Sequence, residues 1–165
     1  MKKLFGSLNN RFDENRYFNG TYNNLKVGTL ATEYFYSDSH AYEVVEVVDQ
    51  KNIAIRRLKA THVGNIPMTN GYTYDHDENA PRRVLTNRND IWYQVNEYNL
   101  ESLKKAYQNN GRGFKTEESF IDYSLAMAGL TDSQIQKVRD GKTAKKLKKI
   151  NISFGVAEEY FDYSF

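Results

Sequence analysis

Ala41-Tyr42-Glu43-Val44-Val45-Glu46-Val47-Val48 decides the fold. Its valines are branched at Cβ, stiff about χ1, and pack well on a pleated surface, so the stretch reads as a strand. Ahead of it, Val27-Gly28-Thr29-Leu30-Ala31-Thr32-Glu33-Tyr34-Phe35-Tyr36 reads as another strand. Ser37-Asp38-Ser39-His40 joins the two as a turn, because Asp and Ser side chains bond nearby backbone. Behind it, Asp49-Gln50-Lys51-Asn52 is a second turn, and Ile53-Ala54-Ile55-Arg56-Arg57-Leu58-Lys59-Ala60 is a third strand. Connections this short suit an antiparallel meander, since a parallel crossover needs a dozen or more residues.

Residues 61–81 form a polar loop holding both prolines, Pro67 and Pro81, with Tyr72-Thr73-Tyr74 as a short strand inside it. The sheet resumes at Arg82-Arg83-Val84-Leu85-Thr86 and Ile91-Trp92-Tyr93-Gln94-Val95, around a hairpin turn at Asn87-Arg88-Asn89-Asp90. After Asn96 the apolar period changes. Leu100, Leu103, Ala106 and Tyr107 have helical spacing behind Asn99 as N-cap. Thr116-Glu117-Glu118-Ser119 opens a second helix, which Gly129 ends. A third starts at Thr131 or Asp132 and stops at Gly141. The basic run to Lys149 reads as a short helix or a turn, and Ile150–Val156 alternates like a closing strand. The expected class is α+β: a small antiparallel β-barrel or curled sheet with an inserted helical segment. Residues 1–26, rich in Asn, read as an N-terminal arm that docks through Phe12, Tyr17, Phe18 and Tyr22. Residues 27–165 read as a single β-rich domain with the helical insertion at 97–149.

Composition narrows the function classes. A chain of 165 residues can bury a core without staples. It has no cysteine, which excludes disulfides and thiolate-bound metal. No apolar run is long enough to span a bilayer, and the basic start lacks the apolar stretch of a signal peptide, so a cytoplasmic, membrane-free protein is expected. A net charge of +2 argues against an acidic DNA mimic and against a general nucleic-acid packager. The 13 tyrosines suit a sheet, and any beyond the needs of the core suit a binding surface.

The basic groups are the candidate binding residues. Arg56, Arg57, Arg82, Arg83 and Arg88 decorate the sheet near Trp92 and Tyr93. Arginine beside aromatics on a β-surface is a way to grip single-stranded nucleic acid. Lys142, Lys145, Lys146 and Lys149 share one face if their segment is helical, and such a face can neutralise phosphates. A charged face serving solubility alone accounts for the same residues. Asp75-His76-Asp77-Glu78, with His40, could ligate a divalent metal that activates water, but no ligand spacing here is diagnostic and a solvated turn explains it equally. No phosphate loop or nucleophile elbow occurs, and no cofactor is expected. Phe120–Ile135 echoes a helix-turn-helix, a pattern that two amphipathic helices packed on a sheet also produce.

Three stretches carry a resemblance: Gly28–Val47; Tyr72-Thr73-Tyr74 with Arg82–Arg88 and Ile91–Val95; and the terminal Tyr160-Phe161-Asp162-Tyr163-Ser164-Phe165. In this order the chain resembles a group of small uncharacterised proteins encoded by phages and prophages. They share a Gly-x-x-Ala-Thr strand, a Ser/Thr-Asp turn, a Trp-bearing hairpin and a Tyr-Asp-x-Ser-Phe tail. The chain departs at Ser39, where such proteins often place Arg, and at Glu158 and Glu159, where they often carry basic residues. The resemblance implies a non-catalytic phage or mobile-element accessory protein with no activity to carry over. Joined to the basic residues, it leads to the expectation of binding to nucleic acid or a host nucleoprotein in the host cytoplasm, with an anti-CRISPR type host-defence inhibitor as one form. The alternatives are a structural virion component assembled through its Tyr-rich arm and tail, which leaves a homo-oligomer open, and a metal-dependent hydrolase.

Overall fold

A computed structural model of the protein describes residues 4–6, 24–62 and 71–160, with the backbone alone at 4–6. Two compact units emerge, Met1–Gln94 with Lys148–Phe165, and Val95–Leu147. The second holds the helical segment. The fold is α+β, a curled antiparallel sheet with a helical segment inserted.

The strands in chain order are β1 Leu4–Gly6, β2 Leu30–Tyr34, β3 Ser39–Asp49, β4 Asn52–Arg57, β5 Lys59–His62, β6 Tyr72–Asp75, β7 Arg82–Arg88, β8 Ile91–Tyr98, β9 Ala144–Lys149 and β10 Ile152–Phe154. The main sheet has the order β10-β2-β3-β4-β7-β8-β9, and its neighbours from β10 through β8 pair antiparallel. The unit boundary falls inside β8 and β9. The meander is β2-β3-β4, as the valine-rich stretch predicts. Gly28, at φ 93°, makes the turn that feeds β2, with its N–H on the Val44 carbonyl at 2.8 Å. β3 carries register shifts between Val44 and Glu46 and between Val47 and Asp49, and such bulges bend a strand and increase its twist.

The third strand is not continuous, contrary to expectation. It breaks at Leu58, whose N–H still bonds the Ala41 carbonyl at 3.0 Å. The chain then enters a separate three-stranded sheet, β1-β6-β5, that includes the Tyr72–Asp75 strand anticipated inside the loop. Leu4–Gly6 pairs with β6 there, so this piece of the arm is an edge strand. The arm's Phe12, Tyr17, Phe18 and Tyr22, and the tail beyond Tyr160, lie outside the described residues.

The main core of the first unit is Leu25, Ala31, Tyr42, Val44, Ile53, Ile55, Leu85, Trp92, Ile150, Ile152 and Phe154. A smaller cluster of Ala41, Leu58, Tyr74 and Ala157 lies on the other side of β3. In the second unit, α1 Leu100–Asn110, α2 Glu117–Met127 and α3 Asp132–Arg139 enclose Leu103, Ile121, Leu125, Val138 and Ala144. The expected caps are in place. Asn99 accepts from Ser102 N at 2.9 Å, and Thr116 and Thr131 each form a capping box.

The β7–β8 hairpin closes on Asn89 and Asp90, both at positive φ, 52° and 62°. Arg88 pairs with Ile91, so this is a two-residue loop with the positive φ pair of a type I′ turn. Only glycine adopts the second position without steric cost. Asp90→Gly is therefore expected to raise the urea midpoint, by about 0.5 kcal/mol, with the slope unchanged. A lowered midpoint would show that the Asp90 side chain holds the turn.

Candidate functional site

Pleating divides the candidate arginines between two faces. Residues paired across antiparallel strands point to the same side, and neighbours along a strand to opposite sides. Arg57 pairs with Tyr42, and Arg83 with Ile55, so both belong to the face that carries the main core. Arg56 pairs with Arg82 and with Glu43 on the opposite face. Thr86 pairs with Tyr93, and Arg88 with Ile91, on that same opposite face. The β4-β7-β8 part of it therefore groups Arg56, Arg82, Arg88 and Tyr93 around Val84. Arg82, Val84 and Arg88 are exposed there, and Arg56 and Tyr93 half-buried.

This face is cationic with limited compensation. Arg82 pairs with Glu46, both about half exposed, and exposed pairs of this kind hold weakly. Glu43 is buried and turned toward His76, whose Nδ1 lies 2.7 Å from it. Arg56 Nε is buried without a hydrogen-bond partner among the described residues.

Trp92 does not join them. It is 3% exposed, and its ring meets Phe154 with centroids 5.2 Å apart, so it serves the core and is no stacking platform. One residue of pleat parity separates it from Tyr93. Arg83 is likewise structural. Its guanidinium donates to Glu33 Oε2 at 2.5 Å and Oε1 at 3.1 Å, to the Tyr42 hydroxyl at 2.7 Å, and to Gln94 Oε1 from both Nη2 and Nε. Burial pulls the Arg83 pKa down, but the bonds and charge of Glu33 outweigh it, and the net direction is up. Arg83 stays charged.

Arg57 belongs to a second cluster, around Glu159. Oε1 of Glu159 receives Arg57 Nη2 at 2.7 Å and lies 2.8 Å from His40 Nδ1, while Oε2 accepts the Ala41 N–H at 2.9 Å. The Glu159 N–H donates to the Tyr74 hydroxyl at 2.6 Å. Burial pushes the Glu159 carboxyl up. The His40 and Ala41 bonds and the Arg57 charge overcome this and hold it below its ordinary 4.5. Glu33 does not stand out in sequence, and Glu159 does so only as a departure from the phage-encoded proteins the chain resembles. Inward parity on a core strand is the one signal that could have marked Glu33.

The lysine run is a strand and not a helix, so the expected common face does not form. In β9, Lys145 and Lys149 alternate against Lys146, and Lys142 precedes the strand. Lys145 pairs with Glu97 at 3.3 Å. Lys146 Nζ donates to the Ala128 and Gly129 carbonyls at 2.6 and 3.0 Å, satisfying orphan carbonyls at the end of α2. Lys142 and Lys149 are exposed. The residues weighed as metal ligands are taken up separately, His40 by Glu159 and His76 by Glu43. Among the described residues, no group of three or more His, Asp or Glu side chains is placed to hold a metal ion, and no helix is long and apolar enough to cross a membrane.

Comparison with protein-family models, curated proteins and solved structures found no match.

The sign of the Glu159 shift sets a pH dependence. A carboxyl whose folded pKa lies below its unfolded value contributes stability above the unfolded value, and that contribution is lost as pH falls through the folded one. Stability is therefore expected to drop as pH is lowered from 4.5 through the depressed folded value. Glu159→Gln is expected to be less stable at pH 7 and to flatten this part of the profile. Parallel profiles from urea unfolding at each pH would contradict the assignment.

Proposed function

We propose that the chain is a non-catalytic accessory protein of phage or mobile-element type that binds nucleic acid or a host nucleoprotein through the β4-β7-β8 face. One observation carries this: the pleat groups Arg56, Arg82, Arg88 and Tyr93 on one face of three adjacent strands. Arginine supplies salt-sensitive phosphate contacts, and tyrosine supplies a ring on which any base can stack. The resemblance of the hairpin and meander to phage-encoded proteins supports the biological setting. Inhibition of a host defence complex is one form of this function, exercised in the host cytoplasm.

Fluorescence anisotropy with a single-stranded oligonucleotide across a salt series tests the proposal. Binding is expected to weaken steeply with salt. Arg82→Ala combined with Arg88→Ala is expected to reduce the log–log slope by about 0.7 per phosphate contact removed. Tyr93→Ala is expected to lose about 1–3 kcal/mol at every salt concentration. Absence of binding at low salt would overturn the nucleic-acid form.

A second reading, assembly into a virion structure, is favoured by Phe35 and Tyr36, exposed at 49% and 98%. It predicts a symmetric oligomer in light scattering that Tyr36→Ser weakens. A monomer at all concentrations would exclude it.

A further inference from the structure

We infer that a cavity beside Arg57 is a separate binding site for a nucleoside monophosphate. This inference does not rest on the sheet face, because its residues lie elsewhere in the first unit. The cavity measures about 400 Å³ and is lined by Arg57, Leu58, Lys59, Ala60, Tyr72, Asp77 and Glu159. That volume falls within the usual range of small-ligand pockets.

Its lining carries both signs of charge, Arg57 and Lys59 with Asp77 and Glu159. Glu159 is a fixed wall, 6% exposed, already receiving Arg57 and the Ala41 N–H and lying against His40. Its charge is balanced by Arg57, yet only Nη2 of the guanidinium is engaged. Nη1 and Nε make no bond among the described residues, and the Arg57 side chain is 46% exposed. Lys59 is exposed at the same cavity. A fork of N–H donors held by a buried carboxylate, with an ammonium close by in the lining, suits a phosphate.

Asp77 supplies the opposite requirement. Its Oδ1 accepts the Asn79 N–H at 3.0 Å, and Oδ2 is uncommitted among the described residues. A carboxylate oxygen accepts the amino or imino edge of a base. Tyr72 adds an aromatic wall, steadied edge-on by His62 with ring centroids 5.1 Å apart. Base–aromatic contact does not depend on which base is present. A plain anion satisfies Arg57 and Lys59 alone, and a plain cation satisfies Asp77 alone. A nucleoside monophosphate offers a partner to both.

Calorimetric titration of the full chain with AMP, adenosine and inorganic phosphate tests the inference. AMP is expected to saturate one site at least about tenfold more tightly than either fragment. Lys59→Ala should weaken AMP and phosphate and spare adenosine. Asp77→Asn should weaken AMP and adenosine and spare phosphate. Thermal melts of both variants confirm folding. The double substitution Arg82→Ala, Arg88→Ala should leave AMP binding unchanged, which separates this site from the sheet face. No saturable AMP binding, phosphate binding as tightly as AMP, or AMP binding unaffected by both pocket variants would each overturn it.

Discussion

A buried ion pair between Arg83 of β7 and Glu33 of β2 constrains the whole first unit. Three strand spacings separate those two strands in the sheet order, which in a flat sheet amounts to about 14 Å. Direct contacts of 2.5 and 3.1 Å across that span need two long side chains and a sheet curled toward them. The bulges of β3 supply local curvature. All five guanidinium donors are used, on Glu33, Tyr42 and Gln94. Burial raises the Tyr42 pKa, so its hydroxyl remains protonated beside Arg83. A buried charge pair tolerates its loss of hydration only when satisfied in this way, and losing one partner strands the other.

Curling makes the two faces of the sheet unlike. The face toward Arg83 holds the main core. The opposite face, at β4, β7 and β8, receives the residues of odd parity relative to that core: Arg56, Arg82, Arg88 and Tyr93. Arg82 and Arg83 are chain neighbours with opposite roles for this reason alone. The same inward side of β3 and β4 continues to His40 and Arg57, where Glu159 completes a polar cluster beside the 400 Å³ cavity.

The meander, the hairpin and the three helix caps were legible in the sequence because each depends on local chemistry: valine branching, Asn-Asp at positive φ, and hydroxyl or amide N-caps. β9 was not. Its Lys-Lys-Leu-Lys-Lys run has no strand propensity, and lysines at a sheet edge are explained by protection against further pairing, which is a tertiary property. The break at Leu58 was hidden as well, since no glycine or proline marks the passage from one sheet to the other. Trp92 was misplaced by one step of parity, although its alternation with Tyr93 held the answer once an anchor such as Leu85 was assigned inward. The Glu159 cluster could not be read from local pattern, because its partners lie 119 residues away at His40 and 102 away at Arg57.

The opposite assignment of two adjacent arginines is the claim on which both the fold and the proposed binding face stand. Urea unfolding of Arg83→Met beside Arg82→Met tests it most directly. Arg83→Met leaves Glu33 buried and unpaired, and is expected to cost about 3 kcal/mol. Arg82→Met removes only an exposed pair and is expected to stay within about 0.5 kcal/mol of the parent. Equal losses in the two variants, or the larger loss in Arg82→Met, would contradict the account.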